Sequence, residues 1–162
     1  SALPHGVPGD KRLSKGDLLL IDFGAVVNGY HSDMTRTFVV GKRSAKYLEI
    51  HRLVRKAQLA AIDKIRAGVS AASVDKAARS VIADGGYGNF FGHALGHGVG
   101  LAVHEEPRLS SRNRKHLQTG MIVTVEPGIY LPDWGGVRLE NMAVVREDGC
   151  ELLNQDTTWL DI

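Results

Sequence analysis

The sequence predicts an α+β fold, an antiparallel sheet covered by helices on one side. Three observations carry this prediction. Short apolar runs bounded by turn residues lie near both ends of the chain. Two capped, amphipathic segments lie between them. Asn28-Gly29, set between two apolar runs, is a hairpin signal, which makes those strands antiparallel. At 162 residues the chain is one domain by length, residues 1–162, and no linker or low-complexity segment divides it.

Leu18 to Phe23 reads as a buried strand and Tyr30 to Val40, rich in Thr, Phe and Val, as its partner. Ser44 caps a helix running to about Arg66, with Gly68 just past its end and Leu48, Ala57, Leu59, Ile62 and Ile65 as its apolar stripe. Ser70 or Ser73 caps a second helix reaching Asp84, stopped by Gly85-Gly86. Met121 to Glu126 is a strand ended by Pro127-Gly128. Val137 to Arg146 is another, and Asp148-Gly149 turns it into a short strand from Cys150 to Leu153. The two hairpin-like units echo each other weakly, and no repeat is read from them.

Composition removes several classes of function. A net charge of +2 gives no electrostatic case for nucleic acid or a membrane surface. The small basic clusters at Arg52, Arg55, Lys56 and at Arg112, Arg114, Lys115 read as solvated faces. One cysteine, Cys150, excludes an internal disulfide and a cysteine metal cage, which fits a reducing, cytoplasmic setting. No apolar run is long enough to span a bilayer, and no signal peptide is recognised. The opening SALPHGVPGD has no initiator methionine and reads like the interior of a longer protein.

The chemistry concentrates in a few places. Phe91 to Gly100, FGHALGHGVG, places His93 and His97 four apart among glycines. Each glycine costs a helix roughly 1 kcal/mol, so an irregular loop is expected. That loop holds either a metal or a tight turn with two hydrogen-bonded histidines. Asp22 lies inside the apolar run LLLIDF, where a carboxylate needs a partner. A two-residue turn at Asn28-Gly29 sets Asp22 opposite Thr35, with Asp33 as its diagonal neighbour at about 7–8 Å between Cα atoms. That spacing is too long for a direct carboxyl hydrogen bond and suits two metals about 3.5–4 Å apart. Asp33 could equally pair with Arg36 at the surface. Glu126 ends a strand, as a ligand or as a solvated carboxylate. Glu140 shares a strand face with Arg138, as a ligand or as a surface pair. Together the four carboxylates balance the charge of two divalent ions. Oxygen donors with one imidazole suit Mn²⁺, Fe²⁺, Co²⁺ or Zn²⁺. A zincin is excluded, because Arg108 stands four residues beyond His104.

Four motifs in order, LIDFGAVVNGYHSDMTRTF, GHALGHGVGLAVHEEPRLS, GMIVTVEPGIYLP and GGVRLEN, resemble the catalytic domain of Xaa-Pro aminopeptidases and Xaa-Pro dipeptidases. The resemblance runs from about Leu3 to Leu153. It implies the pita-bread fold, a curved antiparallel sheet covered by helices, here lacking its N-terminal elements and the preceding domain. It implies two divalent ions, manganese first and cobalt, zinc or iron as alternatives. Asp22, Asp33, His97, Glu126 and Glu140 match the five ligands, with Asp33 and Glu140 bridging. His104 matches the residue that stabilises the tetrahedral intermediate, and His93 and His5 match substrate-side histidines. Arg138 matches an arginine supporting the carboxylates beside the substrate. The implied reaction is attack by a metal-bridging hydroxide on the carbonyl before proline, with Glu126 relaying the proton. The implied partners are Xaa-Pro dipeptides, peptides with proline second, and a second copy in a homodimer. The alternatives are a methionine aminopeptidase-like enzyme and a non-catalytic binding module on this fold, which usually loses ligands. Asn141 follows Glu140 where many relatives have aspartate.

Overall fold

A computed structural model describes residues 1–162. The first hairpin comprises β1 (Leu18–Phe23), β2 (Val26–Val27), β3 (Tyr30–His31) and β4 (Met34–Val39). Two helices follow, α1 (Ala45–Lys64) and α2 (Ala71–Asp84). A short turn of 3₁₀ helix at Gly88–Phe90 leads to β5 (Gly96–Gly98) and β6 (Glu105–Leu109). A second hairpin contains β7 (Ile122–Val125), β8 (Gly128–Leu131), β9 (Gly135–Arg138) and β10 (Asn141–Val145), and β11 (Cys150–Leu152) closes the sheet. The main sheet has the order β11-β10-β7-β5-β6, and all its pairs are antiparallel.

The Asn28-Gly29 turn sets the first register as expected. Asn28 and Gly29 both take positive φ, 51° and 85°, Val27 pairs with Tyr30, and Asp22 lies opposite Thr35. The expected strand from Tyr30 to Val40 is broken at Ser32 and Asp33. The register nevertheless continues through the break, because Ser32 N–H donates to the Ala25 carbonyl at 2.8 Å. The expected strand from Val137 to Arg146 is likewise two strands, broken at Leu139 and Glu140. There Glu140 N–H leaves its own hairpin and donates to the Thr35 carbonyl at 3.0 Å. The register again continues, with Val125 opposite Asn141 and Gly128 opposite Arg138. Glu126 and Glu140 therefore face each other across the second hairpin.

Ser44 caps α1 through the Tyr47 N–H, and Ser70, not Ser73, caps α2. Helix α1 stops at Lys64 because the next free N–H groups turn elsewhere: Ala67 to the Arg146 carbonyl and Gly68 to that of Leu117, both at 2.9 Å. Its buried face is Tyr47, Ile50, His51, Val54, Ala57, Gln58 and Ala61, while Leu59 is exposed. Tyr47, Ile50, Val54, Ala57 and Ala61 of this face and Val74, Ala78 and Ile82 of α2 join Val123, Val125, Val137, Leu139, Ala143 and Val145 of the sheet in one core. Each large side chain buried there contributes roughly 1.5–3 kcal/mol. No helix is long and apolar enough to cross a membrane.

Candidate metal centre

One cavity of about 610 Å³ opens where the two hairpins meet the loop carrying the histidines. Asp22, Asp33, His97, Glu126 and Glu140 line it, with His5, His93, His104 and Arg138. Every residue singled out in the sequence thus reaches the same space. Glu105, Glu106 and Arg108, which were not candidate site residues, line it too.

The glycines of the loop have a steric reason. The loop is not wholly irregular, because β5 runs through His97 as a strand pressed between β6 and β7. A Cβ on Gly96 would overlap the Thr124 carbonyl, and one on Gly98 the Glu106 carbonyl. The flanking glycines thus let the His97 backbone sit in the sheet while its ring turns into the cavity. His97 Nδ1 lies 3.0 Å from the Gly98 carbonyl, which makes Nδ1 the protonated nitrogen. The bare Nε2 is then 3.4 Å from Glu126 Oε1 and 3.8 Å from Asp33 Oδ2. A divalent cation between these donors would satisfy the lone pair and both carboxyl groups, and burial above all lowers the His97 pKa, which disfavours a protonated ring there. Donor atoms of Asp33, His97 and Glu140 all lie within 4.8 Å of one another. The donor set therefore fits a divalent cation.

The carboxylates repel one another. Burial, then the charge of Asp22 and a side-chain hydrogen bond with it, raise Asp33 to about 6. The two carboxyls come closer than the Cα spacing of diagonal neighbours led us to expect. Burial raises Glu126 to about 8 despite Arg138, with Asp33 and Asp22 adding to the rise. Glu140, 1% exposed, is raised well above the usual range by burial, Glu126 and Asp33. Two divalent ions would reverse the repulsion.

Arg138 and three residues that the sequence did not mark for function, Thr35, Thr124 and Tyr130, hold these groups in place. Thr35 Oγ1 donates to Glu140 Oε2 at 2.6 Å. Thr124 Oγ1 accepts the His97 N–H at 3.0 Å and donates to Glu126 Oε1 at 3.3 Å. Arg138 donates from Nη2 to Asp22 Oδ2 at 2.7 Å and from Nη1 to the Pro4 carbonyl at 2.9 Å, beside His5. It also donates to the Tyr130 hydroxyl at 3.0 Å, and that oxygen lies 2.9 Å from His93 Nε2. His93 Nδ1 lies 2.7 Å from the Ala94 carbonyl, so Nδ1 carries the proton and Tyr130 donates to Nε2. Burial pushes His93 down to about 4, so the ring stays neutral. Exposed His104 stands edge-on to His97, with ring centres 4.3 Å apart. Of these supports, Thr35 opposite Asp22 and Thr124 two residues before Glu126 could have been found from strand register. Tyr130 could not, because its strand was not foreseen.

Residues 1–147 match the model of metallopeptidase family M24. The chain belongs to this family. It is 48% identical over 155 residues to a Xaa-Pro dipeptidase of Pyrococcus furiosus, covering 96% of this chain and 44% of that protein. Among solved structures, a prolidase from Pyrococcus furiosus has a TM-score of 0.94 at 48% identity, covering 96% of this chain and 46% of that one. An X-Pro aminopeptidase from Thermotoga maritima also has a TM-score of 0.94, at 46% identity over 96% of this chain and 44% of that one. The pita-bread architecture expected from the motifs is thus the observed one. The chain spans less than half the length of the curated relatives it matches.

Proposed function

We propose that this chain, residues 1–162, is the catalytic unit of a metal-dependent exopeptidase that hydrolyses the Xaa-Pro bond, as a dipeptidase or an aminopeptidase of the P type. The observation that carries the reading is the bare His97 Nε2 set against acids from two hairpins in one cavity. In this proposal Asp33 and Glu140 would serve both ions, Asp22 would serve one, and His97 and Glu126 the other. When bound, the two ions, manganese first, would supply a water ionised near neutral pH and polarise the carbonyl before proline. All other work falls to side chains. Glu126 receives the water proton and passes it to the proline nitrogen. That nitrogen belongs to a tertiary amide without N–H, so recognition cannot use a backbone donor there. His104, exposed at the cavity wall, stabilises the developing oxyanion. His93, kept neutral by burial, orients the substrate together with His5, and Arg138 holds Asp22 while fixing the segment that carries His5. The partners are Xaa-Pro dipeptides or longer peptides with proline second; the state proposed is a cytoplasmic homodimer.

The test is hydrolysis by this chain, and by any longer parent, loaded with Mn²⁺. Ala-Pro, Ala-Pro-Ala and Met-Ala-Ala separate the three substrate classes. Cleavage of either proline peptide, lost in Asp33→Ala, is the expected result. Preference for Met-Ala-Ala would move the assignment to the methionine branch. Binding of Mn²⁺ by no form, and cleavage of none, would leave a binding module.

A further inference from the structure

Helix α2 carries an ion pair that the proposed reaction does not use. Asp75 is fully buried. Arg79, one turn on, grips it with two parallel bonds, Nε to Oδ2 and Nη2 to Oδ1, each 2.9 Å. A buried carboxylate needs such a partner, yet the pair also bonds outward. Arg79 Nη1 donates to the Phe91 carbonyl and Nη2 to the His93 carbonyl, each at 2.8 Å. Asp75 Oδ1 accepts the Leu95 N–H at 3.2 Å. The guanidinium carbon lies 4.2 Å from the centre of the Phe91 ring. Residues 91, 93 and 95 are alternate positions on the segment leading to His97. All three bond the one ion pair, as they would bond the edge of a neighbouring strand. On the other side, the Leu95 carbonyl accepts the Glu126 N–H at 2.8 Å.

We infer that the Asp75–Arg79 pair is a positioning device that stands in for a strand and fixes the backbone from which His93 and His97 project. Through Leu95 it also fixes the backbone of Glu126. The inference rests on the proposed roles of His97 and Glu126. Neither Asp75 nor Arg79 lies among the five donors, and both act through the loop. The segment needs outside support because residues 91–95 precede β5 and lie in no strand, and Gly92 has open space around it. A donor set that had to be ordered on binding would hold its ligand less tightly.

The experiment compares Arg79→Lys and Asp75→Asn with Val74→Ala, a truncation in the core of the same helix. Melting temperature, ring ¹⁵N resonances of His93 and His97 in the metal-free chain, and Mn²⁺ titration are measured for each. The expected result is that both ion-pair variants move the two ring resonances, whereas Val74→Ala at similar loss of melting temperature does not. Mn²⁺ binding weakens about tenfold in the ion-pair variants only. Unmoved rings in both ion-pair variants, with only the melting temperature lowered, would overturn the inference. Moved rings in a chain whose wild type binds no Mn²⁺ would support the positioning role and remove the metallopeptidase reading instead.

Discussion

The two hairpins follow one plan and live in different surroundings. In each, the register runs unbroken through an interruption, and acids sit at or near that interruption: Asp22 and Asp33 in the first, Glu126 and Glu140 in the second. The four strands of the second hairpin are buried almost throughout. Its break is closed from α1 by Gln58, whose Nε2 donates to the Val125 and Leu139 carbonyls at 3.2 and 3.1 Å. In the first hairpin the break is closed by Ser32, whose Oγ accepts the Ala25 N–H at 2.9 Å near solvent. Phe23 just before it and Val26, Val27 and Tyr30 beyond it are exposed. The second hairpin therefore acts as the reference frame, and the first, buried along β4 but exposed at its outer end, is tied to it. Thr35 bonds Glu140, Arg36 Nη1 donates to the Glu140 carbonyl at 2.6 Å, and Arg138 bonds Asp22. Asp22, at the exposed side of the first hairpin, thus keeps its place through a side-chain bond to the buried second hairpin.

The largest expected effect is at the centre of the frame. Glu140→Gln still accepts the Thr35 hydroxyl and keeps the fold, but is expected to lower the proposed metal-dependent Xaa-Pro hydrolysis by about a thousandfold or more. Steady-state kinetics beside circular dichroism check both halves of that statement; full activity would break the comparison at its most buried acid.

Helix α1, which backs the second hairpin, brings a pH dependence of its own. His51 is fully buried, its Nε2–H donates to the Trp159 carbonyl at 2.8 Å, and Nδ1 has no partner. Burial lowers its pKa from 6.5 to about 4, although the Trp159 bond opposes the shift. The unfolded chain therefore takes up this proton first as pH falls. The stabilisation is complete above the unfolded value and is lost between pH 6.5 and about 4. From pH 7 to pH 5, the wild type loses about 2 kcal/mol more stability than His51→Gln. Urea midpoints at the two pH values measure it, and equal losses would remove His51 from the account.

The smallest effects sharpen the contrast in burial. Val137→Ala, in the second hairpin at 0% exposure, lowers stability by about 2 kcal/mol. Val26→Ala, in the first at 59%, changes it by about 0.5 kcal/mol or less. Similar costs at both sites, by chemical denaturation, would mean that the first hairpin is buried in solution.

Much of this was legible because local signals and chemistry agreed. Asn28-Gly29 gave the first register and hence the Asp22–Thr35 pairing, and a carboxylate inside LLLIDF marked the site. The two interruptions were hidden, because Tyr30–Val40 and Val137–Arg146 keep strand composition across them; only contacts distant in sequence, such as Glu140 with Thr35, create the kink. The β8–β9 hairpin was missed for the opposite reason. Pro127, Gly128, Pro132, Gly135 and Gly136 read as turn residues, yet a Cβ on Gly136 would overlap the Ser1 carbonyl, so close approach explains a glycine inside that strand. Gln58, Asp75 and Arg79 gave no signal, because a polar residue on a helix looks the same whether it meets water or another segment's backbone.

The most direct measurement of the central claim is metal stoichiometry, by equilibrium dialysis of the folded chain against Mn²⁺ with elemental analysis. Two ions per chain are expected, retained in Val26→Ala and reduced below one in Glu140→Gln. No bound manganese in the wild type, or two ions still held by Glu140→Gln, would contradict it.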